Sequence, residues 1–465
     1  MHVMSGGSGP AVTDLLIDGK LLPGGAGTFG TVNPATEERI GLAADADNAD
    51  MDRAIGAARA AFDHGDWARD VALRVHCLRQ LRTALIAEIE ELRSVTVAEV
   101  GAPVTFTYGS HLEGPVNDLA FPADTAESYS WKTDLGVASP MGIATQRWLV
   151  REPYGVVGAI TPFNFPHQIN LAKLGPALAA GDTVVLKPAP ETPWCAAHIG
   201  RIIAEHTDFP PGVVNIVTAG DPGLGAQLCR DARVDVVSFT GSTATGAAVT
   251  AAAAGNISKV LLELGGKSAF VVLDDADLGR ACGAAAVAVS RHAGQGCAFT
   301  TRLLVPRHRY DEAVDATAAA MGGIAVGDPT DPATVCGPLI SARQRDRVQG
   351  YLDLALVEGG SFACGGGRPG TLDRGYFIAP TVIRGLDNTA RTAREEIFGP
   401  VLVVLAHDGD DDAVAIANDS RYGLSAAVWS SDPQRAASAA ARLRTGTVSV
   451  NGGSVVFGRH AVRRL

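Results

Sequence analysis

From Tyr154 onward, short β-branched runs alternate with alanine-rich stretches of helical length. Val156 to Ile160 reads as a strand and Gln168 to Ala180 as a helix. Thr183 to Leu186 is again a strand and Pro193 to His206 a helix. Val213 to Val217 and Val234 to Phe239 are two more strands with a helix between them. Such alternation is the pattern of a parallel sheet with crossover helices. The runs lack polar alternation, which fits strands covered on both faces. The pattern restarts after Glu263, with strands at Ala269–Leu273 and Leu303–Val305 and helices at Asp277–Ser290 and from Asp311. The expected fold is α/β, with two Rossmann-like lobes and an active site between them. The N-terminal part reads as mainly helical, at Met51–Phe62 and Ala72–Val100. Residues 131–150 interrupt the pattern with a hairpin-like segment.

A chain of 465 residues that is 46% hydrophobic can bury a large core in more than one domain. The net charge of −11, without a Lys/Arg run before the last residues, argues against nucleic acid and anionic membranes as partners. Apolar runs fall short of the ~18 residues of a membrane span. MHVMSGGSGP lacks the basic and apolar regions of a secretory signal and reads as a flexible tail. Seven scattered cysteines without a CxxC pair point to reduced thiols in a cytoplasmic enzyme and away from a disulfide scaffold or a zinc site.

Chemistry concentrates at two glycine-rich stretches. Glu263 lies in VLLELGGKSA and Cys297 lies 34 positions later in AGQGCAFTTR. A lone cysteine is more often a small buried hydrophobe. The glycines around Cys297 favour instead a loop that a substrate can approach. Glu263 follows Val260, Leu261 and Leu262, at the carboxyl end of a buried strand, where ligands of open α/β sheets gather. A thiolate nucleophile and a carboxylate that activates water would make and hydrolyse a thioester. His292, five positions before the cysteine, is expected to line the end of the active-site helix rather than to act as base.

Four further stretches occur in order along the chain: TPFNFP from Thr161, KPAPETP from Lys187, FTGSTATG from Phe239 and EEIFGP from Glu395. Together with ELGGK and GQGC they resemble the aldehyde dehydrogenase superfamily over nearly the whole chain. That resemblance implies that Cys297 adds to an aldehyde and that Asn164, with the Cys297 backbone N–H, holds the oxyanion. It makes Glu263 the base for the deacylating water, which favours a free acid as product over a coenzyme A ester. Lys173 takes a supporting, proton-relay role. Thr161, Pro162, Phe163, Lys187, Gly241, Ser242, Gly246, Leu264, Glu396 and Phe398 are implied to bind the cofactor, with Lys187 on the adenosine ribose, Glu396 on the nicotinamide ribose and Phe398 against its ring. NAD is expected, with NADP left open. Many NAD-preferring members carry Glu three residues after the lysine, where this chain has Pro190, and Glu191 is displaced by one. No Arg or Lys follows close in sequence to meet a 2′-phosphate.

By the same resemblance, residues 1–130 and 151–262 form the cofactor-binding domain and 263–446 the catalytic domain. Residues 131–150 and 447–465 form an oligomerisation segment, so a homodimer or homotetramer is expected if the short C-terminus permits. The ending VVFGRHAVRRL departs from the family's longer tail. Two other readings remain open at this level: a nucleotide-binding homologue of weak or no activity, and a thiol hydrolase that leaves FTGS and EEIFGP idle.

Overall fold

A computed structural model describes residues 12–452. Two seven-stranded sheets form its frame. In the first, the spatial order is Lys259–Leu264, Val236–Gly241, Val156–Ile160, Thr183–Lys187, Val214–Ile216, Leu15–Ile17 and Lys20–Leu22. The first five are parallel, and the two N-terminal strands close the edge antiparallel. In the second, the order is Ser361–Cys364, Thr381–Arg384, Val401–His407, Thr300–Pro306, Ser268–Val272, Ser425–Trp429 and Thr447–Val450. All of these pair in parallel except Ser361–Cys364.

The strands alternate their side chains between two cores. Val157 and Ala159 enter one apolar cluster while Val156 enters another on the opposite face. In the second sheet, Ala269 and Val271 face one cluster and Phe270 and Val272 the other. Helices cover both faces, which is why these strands carry no polar alternation.

Strand order also locates the cleft. Val156–Ile160 sits between Val236–Gly241 and Thr183–Lys187: the next two strands build outward on one side of it, and the chain then crosses back to build on the other. A crevice opens at such a switch point, outside the carboxyl ends of the strands. Thr161, Gly241, Lys187 and Leu264 all stand at these ends.

Several segments differ from the sequence expectation. Five strands precede the first helix, between Val12 and Ala44, where a mainly helical region was expected. They run only two to six residues, too short for a period of two to register. The stretch Ala72–Val100 is two helices, Val71–Ala87 and Ile89–Val100, broken at Glu88 where ψ swings to 17°. Glu263 and Leu264 belong to the outer strand of the first sheet, so the change of lobe falls after Leu264 rather than before Glu263. Thr447–Val450, expected in the oligomerisation segment, pairs with Ser425–Trp429 inside the second sheet. The segment 131–150 forms an antiparallel hairpin of Lys132–Ala138 and Thr145–Val150. Residues 1–11 and 453–465, with the glycine-rich start and the Arg-rich end, lie outside the described residues.

One buried carboxylate ties the N-terminal strands to the first lobe. Glu99, fully buried, accepts from Thr31 Oγ1 at 3.0 Å and from the Trp194 and Cys195 backbone N–H groups at 2.8 and 2.9 Å. The last two are orphan donors of the helix Pro193–His206. Glu99→Ala leaves three donors without an acceptor and is expected to cost roughly 3–5 kcal/mol. A melting temperature lower by several degrees in a thermal scan would show this; an unchanged one would contradict it.

Candidate active site

The loop that leads to Cys297 is held in an unusual backbone shape. His292, Ala293 and Gly294 all have positive φ, at 48°, 50° and 71°. L-residues avoid this region, so the surroundings must enforce it. Gln295 supplies part of that force: its Oε1 accepts the Ile340 N–H at 3.0 Å. At Gly294 a Cβ would lie 2.0 Å from the Gly399 carbonyl oxygen. Only glycine lets this loop close on the end of EEIFGP.

Cys297 is half-buried at the end of the loop. Desolvation pushes its thiol up to about 12, and the Glu396 and Glu263 carboxylates add to the rise. Without added positive charge nearby, the resting thiol is therefore neutral at physiological pH. Asn164, 2% exposed, donates its side-chain amide to the Gln295 carbonyl at 2.8 Å. That bond uses one of the two amide hydrogens and fixes the direction of the other.

Glu263 is exposed to the cleft, opposite Thr240 in the strand register. Lys173 reaches toward it from the helix Pro166–Ala180 and donates to Ser238 Oγ at 2.8 Å. Burial lowers the Lys173 ammonium to about 8, against the pull of Glu263. A lysine so placed can exchange a proton near neutral pH. His292 is buried against Phe165 and His111, with ring centroids 5.3 and 4.5 Å away. Desolvation takes it down to about 4, so it stays neutral and is poorly suited to act as a base.

Glu396 enters from the second lobe. Its Oε1 accepts the Gly266 N–H at 3.0 Å. The loop that carries it is pinned from the helix Ala342–Val357: Arg347 Nη2 donates to the Glu396 carbonyl at 2.5 Å and Gln344 Nε2 to the Phe398 carbonyl at 2.8 Å. Phe398, at φ 63°, meets Phe163 edge to face at 5.9 Å.

The remaining candidates form a ledge along the carboxyl ends of the first sheet. Thr161 N–H bonds the Lys187 carbonyl at 3.2 Å, with Pro162 next in the chain, and the buried Thr161 Oγ1 has no hydrogen-bond partner among the described residues. Lys187 is buried, and its Nζ donates to the Pro188 carbonyl at 3.4 Å. Gly225 packs over Ile160 and the Lys187 stem, where a Cβ would stand 3.6 and 3.7 Å from their side chains. Gly241 ends its strand, and Ser242 caps the helix Thr243–Ala253 by accepting from Thr245 N–H at 3.2 Å. Gly246 lets that helix pack on Leu264, where a Cβ would meet Leu264 Cδ2 at 2.6 Å. The ledge offers a helix N-terminus, an unspent hydroxyl and an ammonium, which together suit a dinucleotide.

The structure thus groups Cys297, Glu263, Asn164, Lys173, Glu396, Phe398 and Phe163 at the lobe junction, and places the other candidates along the ledge. One relation was not readable in sequence. Arg343 comes from the second lobe to pair with Glu191 at 2.8 Å, so a cation does stand near the ledge, already neutralised.

A thiol, a carboxylate and an amide donor thus stand together at the junction of the two lobes, beside the carboxyl ends of the first sheet. Residues 22–461 match the model of the Aldehyde dehydrogenase family. The chain is 43% identical to geranial dehydrogenase of Castellaniella defragrans, over 90% of this chain and 87% of that protein. It is 40% identical to 3-succinoylsemialdehyde-pyridine dehydrogenase of Pseudomonas sp, over 96% of this chain and 91% of that one. A Mycobacterium tuberculosis aldehyde dehydrogenase, solved in complex with NAD+, superposes with a TM-score of 0.91 at 39% identity, covering 96% of this chain and 92% of that chain. The chain belongs to the aldehyde dehydrogenase family, and it is an oxidoreductase that takes an aldehyde to a carboxylic acid.

The electrostatics of the thiol can be tested in the protein without cofactor. Glu396→Gln and Glu263→Gln each remove a negative charge that raises the Cys297 thiol. Each is expected to speed iodoacetamide alkylation of Cys297 at pH 8 by roughly 3- to 10-fold, up to one unit of pKa. An unchanged or slower rate in both variants would contradict this account.

Proposed function

We propose that Cys297 is the nucleophile, Asn164 the oxyanion donor and Glu263 the general base of an NAD-dependent aldehyde oxidation. What carries the reading is the convergence of the Cys297 loop, the Glu263 strand end and the Asn164 amide at the lobe junction. Cys297 sulfur adds to the aldehyde carbon, and its proton leaves toward solvent through the cleft. The new alkoxide lies between the second Asn164 hydrogen and the Cys297 backbone N–H. A preorganised donor of this kind contributes on the order of 10²–10³ in rate. Bound on the ledge, the nicotinamide supplies the hydride acceptor. Glu263 then takes a proton from water as that water attacks the thioester carbonyl. Acid is released and the thiolate recovers. Lys173, between Ser238 and Glu263, returns Glu263 to its basic form by passing its proton on.

The ledge fits a dinucleotide: Ser242 and the helix start take the pyrophosphate, Lys187 the adenosine ribose, Glu396 the nicotinamide ribose and Phe398 the ring face. NAD is favoured over NADP by charge. Glu191, Asp221 and Asp45 all act on the single Lys187 ammonium, so a 2′-phosphate would enter a surplus of negative charge. Glu191, held by Arg343, does the work expected of a carboxylate at Pro190.

The hairpin Lys132–Val150 is the expected site of self-association. Val137, Ile143, Met141 and Trp148 on it are 65, 68, 97 and 52% exposed. A second copy covering these side chains gives a homodimer, or a homotetramer by pairing dimers. All seven cysteines are free and no described helix is long and apolar enough to cross a membrane. This supports a cytoplasmic enzyme.

Mixing the protein with NAD and an aldehyde panel should raise the absorbance of reduced nicotinamide. Cys297→Ala should lower that rate by roughly 10³-fold or more while retaining nucleotide binding. Persistent reduction in this variant would exclude the thiol route. Glu191→Gln should raise kcat/KM for NADP relative to NAD by about 10-fold, roughly 1.4 kcal/mol, because it frees Arg343 as well as removing a carboxylate. An unchanged ratio would assign the preference elsewhere.

A further inference from the structure

The sense of the Asn164 amide is set by one carbonyl. An amide side chain has an NH2 edge and an oxygen edge, which exchange places on a half-turn about its last bond. Asn164 Nδ2 faces the Gln295 carbonyl oxygen at 2.8 Å. Turned over, Oδ1 would stand in its place, facing that carbonyl and the developing alkoxide and repelling both. The donor points the right way only while the Gln295 carbonyl keeps its position.

The Gln295 side chain, 0% exposed, holds that carbonyl. Its Oε1 accepts Ile340 N–H at 3.0 Å, and its Nε2 donates to the His292 and Pro338 carbonyls at 3.4 and 3.5 Å. Gln295 N–H donates to the His292 carbonyl at 3.1 Å. The far end of this clamp is fixed in turn. Leu339 N–H donates to the Tyr376 carbonyl at 3.0 Å, and Tyr376 N–H to the Pro34 carbonyl at 2.9 Å. Gly337 closes on Gly101, where a Cβ would lie 2.4 Å from the Gly101 carbonyl oxygen. Cys297, two positions after Gln295, has anchors of its own. The Ala298 carbonyl accepts Ser425 Oγ at 2.6 Å, and Phe299 N–H donates to the Gly296 carbonyl at 3.1 Å. The loop thus carries two groups, the thiol and the carbonyl that aims Asn164, and each is held by different bonds.

We propose that Gln295 is a positioning residue of the oxyanion site: locked to Ile340, it aims the carbonyl that sets the sense of the Asn164 amide. This rests on Asn164 as oxyanion donor, the reading given above. In this role Gln295 acts only through Asn164, so its contribution exists while Asn164 is present and vanishes with it. General support of the loop would persist in either case.

A double-mutant cycle separates the two. The readout is the single-turnover burst of reduced nicotinamide, with saturating NAD+ and the aldehyde of the panel that is turned over fastest. Gln295→Met keeps the length of the side chain and removes its polar contacts. In the parent protein it is expected to slow the burst by roughly 30- to 100-fold, a large part of the roughly 10²–10³ that a preorganised donor supplies. In Asn164→Ala protein the same substitution should slow it by no more than about 3-fold. If Gln295→Met does not fold, Gln295→Glu takes its place in the cycle. It keeps the acceptor for Ile340 N–H but turns an oxygen toward the Pro338 and His292 carbonyls, so a loss of about 10-fold is expected, again confined to protein that has Asn164. Equal losses with and without Asn164, or no loss in the parent, overturn the proposal. An unchanged burst in Asn164→Ala alone would overturn the oxyanion reading itself, and this inference with it.

Discussion

Two missing Cβ atoms hold the reaction centre together. Gly265 and Gly266 span the gap between the last strand of the first sheet, Lys259–Leu264, and Ser268–Val272 of the second. A side chain on Gly265 would run into the Glu396 carboxylate, and one on Gly266 into the Cys297 carbonyl at 2.7 Å. With glycine at both positions, the Cys297 loop and the EEIFGP loop close on the strand end that carries Glu263. Gly294 makes the same accommodation against Gly399 from the other side. Cys297, Glu263 and Glu396 are thus brought together by close backbone approach, with hydrogen bonds from Gln295, Gln344 and Arg347 holding the loops.

That closeness sets the electrostatics. Two carboxylates and a dry environment keep Cys297 protonated at rest, and the same dryness lowers Lys173 to about 8. A neutral thiol resists adventitious oxidation and alkylation. A lysine near neutrality can serve as donor and acceptor in one cycle. These shifts share a leading cause, burial at the junction of two lobes; neighbouring carboxylates add to the rise of Cys297, and Glu263 opposes the fall of Lys173.

Much of this was legible in the sequence because it is local. Val156–Ile160 and Pro193–His206 were read to the residue, since hydrophobic runs and flanking Gly or Pro mark them. The thiol, carboxylate and amide stood out by their glycine and proline settings. What was hidden is long-range. Gln295 anchors the loop through Ile340, 45 positions on, and Arg343 meets Glu191 across 152 positions. Neither pairing leaves a trace in spacing. The N-terminal strands were missed because runs of two to six residues carry too few side chains to show a period; two of them join the edge of the first sheet and the other three pair with one another.

The central claim is that oxidation passes through a thioester on Cys297 which Glu263 helps to hydrolyse. Intact-protein mass spectrometry of Glu263→Gln, quenched in acid after mixing with NAD+ and an aldehyde substrate, tests it most directly. The account predicts an adduct on Cys297 with the mass of the aldehyde less two hydrogens, accumulating because water is no longer activated. Absence of any adduct in this variant while it still turns over, or an adduct of the same mass on Cys297→Ala protein, would contradict it.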